Sequence, residues 1–212
     1  MNPIQKMLWY LGNIWDYGLQ MLPCALVAAA VFFCLRPWRR RRLAALGLTS
    51  GPWREGALLL FAAFCAGLAA LTLTPPNFWT CLFHGVPIVW PASGTNHFYW
   101  KLTVFRDLAG GPWVFFMLLG NLGMFAPLGF FPALLWDRPG WKKALLTGVC
   151  SSLFVEITQL FVGRNSDIND LILNRLGALC GYWAFLLLRR LARALPPDFD
   201  AKIGGFLNGC KI

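Results

Sequence analysis

The sequence predicts an all-α integral membrane protein of about five transmembrane helices, N-terminus outside and C-terminus inside, with an outer-leaflet polar pocket. Three observations carry this prediction. Charged residues make up 13% of the chain and hydrophobic ones 58%, whereas a soluble domain is about 25% charged; the mean hydropathy is +0.56. Apolar runs of bilayer-spanning length recur along the 212 residues. Basic residues border those runs rather than interrupt them. The formal net charge of +10 would suggest nucleic acid in a soluble protein, but topology and anionic lipid account for it here, so no nucleic-acid partner is expected.

The first fifteen or so residues hold Trp9, Tyr10 and Trp15 and read as an interfacial segment with an aromatic belt. A first span covers about Tyr17 to Leu35 and ends at Arg36, Arg39, Arg40, Arg41 and Arg42, a cytoplasmic marker. A cleaved signal peptide would carry its basic residues before the apolar core, so this is expected to be an uncleaved anchor. A second span covers about Glu55 to Thr74 and stops at Pro75-Pro76. Asn77 to Pro112 is a long polar-aromatic outer loop that lies on or partly re-enters the membrane. Spans three, four and five follow at about Trp113–Trp136, Ala144–Val162 and Asp167–Leu188. Arg189, Arg190 and Arg193 mark the inner end of the last one, and a short tail follows Pro196.

With this topology the inner segments hold 14 of the 19 Lys and Arg residues, the others being Lys6, Lys101, Arg106, Arg164 and Arg175. The chain divides into 1–54 (interfacial segment, first helix and basic loop), 55–190 (transmembrane domain) and 191–212 (cytoplasmic tail). Five cysteines, Cys24, Cys34, Cys65, Cys150 and Cys180, lie in apolar runs, where free Cys acts as a small hydrophobe. No disulfide framework and no Cys or His metal spacing is evident.

The informative stretch runs from Asn121 to Gly181. It is apolar enough for lipid yet carries Asn121, Glu156, Gln159, Arg164, Asp167, Asp170, Asn174 and Arg175. Ionisable groups at membrane depth cost several kcal/mol unless paired or wetted, so they are read first as a functional site. Glu156 and Gln159 share a helix face, with Ser152 one turn below; Asp167, Asp170 and Asn174 share another. Glu156 and Asn121 sit at similar depths, roughly 9 and 12 Å from the outer ends of their helices. Bland readings stand beside the functional one. Asp167 suits a helix N-cap and Asp170 a favourable dipole position. Asn121 and Gln159 suit interhelical hydrogen bonds, Glu156 a structural partner for Arg164 or Arg175, and Gly177 and Gly181 close packing. His97 and Arg106 in the outer loop are weak candidates for covering the pocket.

The string Gly120-Asn121, Pro127-Leu128-Gly129, Glu156-x-x-Gln159, Gly163-Arg164, Asp167, Asp170, Asn174, Gly177 and Gly181 resembles the VanZ-like membrane protein family. The likeness covers about Trp113 to Leu188, more weakly the second span. The first span and its Arg cluster look like an N-terminal addition to the family core. The resemblance implies a multi-pass protein of the bacterial cell membrane and envelope, in a family named for a member that raises resistance to the glycopeptide teicoplanin. By matching positions it implies that Asn121, Glu156, Gln159, Arg164, Asp167, Asp170 and Asn174 are motif residues; it transfers no molecular activity.

Two classes of function compete, with a third behind them. In the first, the pocket binds a membrane lipid or a lipid-linked or lipid-tailed cell-wall molecule. Arg164 and Arg175 would hold an anionic headgroup, Asn121 and Gln159 would add neutral hydrogen bonds, the carboxylates Glu156, Asp167 and Asp170 would orient the arginines, and Asn174 would share the lining. In the second, the chain is an intramembrane enzyme acting on a lipid phosphate or lipid-linked glycan. There Glu156, Asp167 and Asp170 would be the catalytic candidates, holding a divalent metal through oxygen ligands or, for Glu156, serving as general base. The third is a proton-coupled lipid transporter. The sequence fixes neither a cofactor nor an oligomeric state.

Overall fold

In lipid, every backbone N–H and C=O must be bonded within the protein, which favours helices for isolated spans. The computed structural model, which describes residues 3–75, 78–88, 98–99, 101, 111–136, 140–161 and 166–194, is all-α apart from one two-residue strand pair. The elements are α1 (Pro3–Ala45), α2 (Pro52–Leu73), α3 (Phe78–His84), β1 (Phe98–Tyr99), α4 (Pro112–Leu135), α5 (Trp141–Phe161), β2 (Ser166–Asp167) and α6 (Ile168–Ala194).

Helices over Trp15–Ala45, Pro52–Leu73, Leu118–Leu135 and Ile168–Ala194 are long and apolar enough to cross a membrane. The chain is therefore a membrane protein. The remaining expected span, α5, has 21 residues, or about 32 Å at 1.5 Å each. Its length suffices, and it carries Ser151, Ser152, Glu156, Thr158 and Gln159 among its apolar residues.

The N-terminal part differs from the sequence reading. The interfacial segment, the first span and the Arg36–Arg42 run form one continuous helix of 43 residues, about 65 Å long. The basic run was expected as a loop, but arginine is a good helix former and the run contains no breaker except Pro37. The helix ends instead at Gly47, whose φ is 68°. Leu48 N–H bonds to the Leu43 carbonyl and Gly47 N–H to that of Ala44, the paired closure that a left-handed residue makes possible. Pro52 then opens α2 in its first turn, where a missing N–H costs nothing.

The long helices alternate in direction along the chain. Phe61 of α2 stacks on Phe131 of α4 with ring centroids 5.4 Å apart. Ala57, Leu134, Leu135, Ala144, Tyr182 and Phe185 form one apolar cluster, and Leu68, Phe125, Leu128 and Val155 a second. One end of the bundle therefore gathers the C-termini of α1, α4 and α6 with the N-termini of α2 and α5. Arg39–Arg42, Arg54, Lys142, Lys143, Arg189, Arg190 and Arg193 lie at that basic end.

The tightest contact is between α4 and α6, which run parallel. A Cβ on Gly177 would collide with the Leu122 carbonyl oxygen, one on Gly181 with that of Ala126, and one on Gly129 with that of Ala178. Residues 122 and 126 thus meet 177 and 181, a matched one-turn step on both helices. Small residues allow this approach, and lipid-embedded helices rely on such van der Waals packing because no hydrophobic force separates them from lipid tails. Gly181→Leu is expected to destabilise the protein by at least about 1–3 kcal/mol through overpacking, read as a lowered unfolding midpoint in detergent. Gly123→Leu, at a position with open space around the added atoms, should leave that midpoint unchanged or raise it.

Candidate functional site

The far end of the bundle carries the polar residues. α5 lies antiparallel to α6: a Cβ on Gly148 would sit 2.7 Å from Ala178 Cβ, and one turn on, Asn174 Nδ2 donates to Ser152 Oγ at 3.1 Å. One further turn of the same register brings Glu156 to the level of Asp170. From α4, Asn121 Nδ2 donates to Asp170 Oδ1 at 2.8 Å. Three helices thus place Asn121, Glu156, Asp170, Ser152 and Asn174 on two adjoining rungs. Glu156 is 4% exposed, Asn174 4% and Ser152 0%, so these groups are withdrawn from the surroundings on all sides.

The local sequence explains the arrangement. Spacings of four put Ser152 and Glu156 on one face of α5, and Asp170 and Asn174 on one face of α6. The α4–α6 contact at Gly177 and Gly181 is close enough for the short Asn121 side chain to reach Asp170.

Gln159 has a different task. Its Nε2 donates to the Thr72 carbonyl at 3.1 Å, in the last turn of α2. The helical donor for that carbonyl would be residue 76, a proline with no N–H. Gln159 thus supplies a bond the α2 sequence cannot make, and it ties α5 to α2 beside the cluster.

The segment after α3 also returns here. β1 pairs in parallel with β2, Phe98 opposite Ser166 and Tyr99 opposite Asp167. Asn169, 6% exposed, donates through Nδ2 to the Lys101 carbonyl at 3.1 Å. The expected outer loop is therefore anchored against the start of α6. Asn169 and Lys101 are not among the expected site residues. Asn169 sits within the polar string and could have been found, but a backbone carbonyl carries no residue-type signal.

Arg175 follows Asn174 on α6 and is half-buried against α5, its Cα 3.5 Å from where a Gly148 Cβ would stand. Its Nε is shielded and has no hydrogen-bond partner among the described residues. Arg164, His97, Arg106 and the Asp167 side chain lie outside the described residues, as does the tail beyond residue 194. Among the described residues, no three of His, Cys, Asp and Glu come together. The described carboxylates at this level, Glu156 and Asp170, suit hydrogen-bond donors such as hydroxyls and amines, and Arg175 suits an anion.

A family model described as VanZ/LLP1 matches residues 24–189, so the match begins inside α1 and ends near the C-terminus of α6. No curated protein and no solved structure matches the chain.

The Asn121–Asp170 bond is testable by a double-mutant cycle with Asn121→Ala and Asp170→Ala, read by unfolding in detergent. The expected coupling is about 0.6 kcal/mol, the average for polar pairs between membrane helices, and at most about 1.7 kcal/mol. Additive losses would detach Asn121 from the cluster.

Proposed function

Because the chain belongs to the VanZ/LLP1 family, we propose a bacterial cell-membrane protein whose polar cluster binds the headgroup of a lipid-linked or lipid-tailed cell-wall molecule. The observation that carries this reading is the buried carboxylate Glu156 at the level of the Asn121–Asp170 pair, which bridges two helices long and apolar enough to cross a membrane. Holding ionisable groups at such a place costs stability unless they are paired or wetted, and a purely structural role is served as well by apolar packing.

In this reading the cluster faces the outer leaflet, because the opposite end carries the basic excess that favours the cytoplasm. Glu156 and Asp170 accept from hydroxyl or amine donors of the headgroup. Arg175 takes its phosphate or carboxylate, together with Arg164, and Asp167 serves as a counter-ion that orients these arginines. Asn121 orients the Asp170 carboxylate, Asn174 and Ser152 tie α6 to α5 one turn away, and Gln159 ties α5 to the end of α2. Occupation of this site by a lipoglycopeptide, or by the lipid it targets, would lower susceptibility to teicoplanin more than to vancomycin, which has no lipid tail.

Expression in a susceptible bacterial host tests this reading. Wild type is expected to raise the inhibitory concentration of teicoplanin selectively, and Glu156→Gln at matched expression to abolish the rise. Equal inhibition of cells with and without well-expressed wild type would reject the resistance role.

A second reading follows from the register that places two carboxylates, Glu156 and Asp170, at one level: an enzyme acting on a lipid phosphate with a divalent metal bound through oxygen. It predicts that Mg²⁺ or Mn²⁺ raises the unfolding midpoint of purified wild type and not of Asp170→Asn. A lipid-dependent, metal-independent rise favours the binding protein instead.

A further inference from the structure

The basic end of the bundle holds a second polar site, built between α1 and α2. Residues 32, 36, 39 and 43 form the stripe of α1 that is less exposed than its neighbours, with Phe32 buried. The spacings of four, three and four turn this stripe toward α2. The arginine run is thus divided. Arg40, Arg41 and Arg42 are exposed, whereas Arg36 and Arg39 face inward. Arg39 lies over the Phe32 ring, 4.0 Å from its centroid, and forms an ion pair with Glu55.

Glu55 is 5% exposed, and both of its oxygens are occupied. Arg39 holds Oε2, and Ser50 Oγ donates to Oε1 at 2.6 Å. Arg54, also buried, donates to Ser50 Oγ at 3.2 Å. This carboxylate is the partner of Arg39. Arg36, one turn before Arg39 on the same face, makes no ion pair among the described residues, and its Nε and that of Arg39 are shielded without a hydrogen-bond partner among them. A half-buried guanidinium whose Nε is shielded offers its remaining donors to an anion.

The surroundings identify its source. Trp38, Trp53, Trp136 and Trp141 are exposed at this same end, and exposed tryptophans on a membrane protein mark the headgroup level. Below Arg36, Leu26, Val31, Phe33 and Leu35 are exposed and apolar, a surface suited to acyl chains. We propose that Arg36 and Arg39 form a binding site for the phosphate of an anionic phospholipid, such as phosphatidylglycerol, seated at the α1–α2 corner. The bound phosphate compensates Arg36 and braces the corner that the Arg39–Glu55 pair closes. The site lies at the opposite end from the cluster of Glu156 and Asp170 and is independent of it.

The test uses the full chain in detergent, with phosphatidylglycerol, phosphatidylcholine or inorganic phosphate added and the unfolding midpoint measured. Phosphatidylglycerol is expected to raise the midpoint saturably and the other two are not. In Arg36→Gln the half-saturating lipid concentration should rise about tenfold or more, the size of one lost charge-assisted hydrogen bond. In Arg41→Gln, an exposed position of the same run, it should stay within about twofold. If Arg36→Gln does not fold, retained lipid adducts in native mass spectrometry of Arg36→Lys against wild type provide the comparison, with fewer phosphatidylglycerol adducts expected. Equal stabilisation by phosphatidylcholine, equal loss in Arg41→Gln, or unchanged adducts in Arg36→Lys overturns the site. Stabilisation by inorganic phosphate alone overturns its assignment to lipid.

Discussion

The approach of α4 to α6 is the constraint on which the polar end depends. Three glycines, Gly129, Gly177 and Gly181, stand where any Cβ would collide with a carbonyl oxygen of the facing helix. Without that approach, Asn121 could not donate to Asp170, because an asparagine side chain spans only a few ångströms. The α5–α6 register is the second requirement. Gly148 against Ala178 sets it, Ser152 and Asn174 continue it, and the level of Glu156 follows. The site is thus a consequence of backbone packing between helices that present small residues to one another and larger apolar ones elsewhere.

Much of this was legible in the sequence. Helices need internal hydrogen bonding in lipid, so apolar runs translate directly into α2, α4, α5 and α6 with small shifts at their ends. Asn121, Glu156 and Asp170 share a level because helix geometry converts sequence distance into depth. Other features had no such signal. Gln159 is bonded to a backbone carbonyl that Pro76 leaves without a donor, a relation that crosses 87 residues. The pairing of Phe98 and Tyr99 with Ser166 and Asp167 arises from long-range contact rather than local preference. Arg36 to Arg42 reads as a uniform charge run, and only its helical continuation separates inward from outward residues. Glu55 looked like the first residue of a span, whereas its burial against Arg39 makes it the closing point of the α1–α2 corner.

The two ends differ in chemistry. The basic end is rich in arginine and exposed tryptophan, features that position a helix bundle at an anionic surface. The opposite end is acidic and amide-rich, buried, and joined to the returning segment at Lys101. Charge asymmetry of this kind favours one orientation of a bundle in a membrane, and under the proposed function it leaves the carboxylates at the level of the other leaflet's headgroups. The bonds of Asn121, Ser152 and Asn174 hold the polar rungs in place, which is what a recognition site for a varied headgroup needs.

The central claim is that the level of Asn121 and Asp170 receives a lipid-linked molecule. A photoreactive residue at Gly120 tests it most directly, since that position is exposed, adjoins Asn121 and has open space around an added side chain. Irradiation in living cells, followed by mass spectrometry of the protein, identifies what lies there. The account predicts a lipid-linked cell-wall molecule attached in wild type and strongly reduced in Asp170→Asn. Capture of bulk phospholipid alone, in equal yield from both proteins, would contradict it.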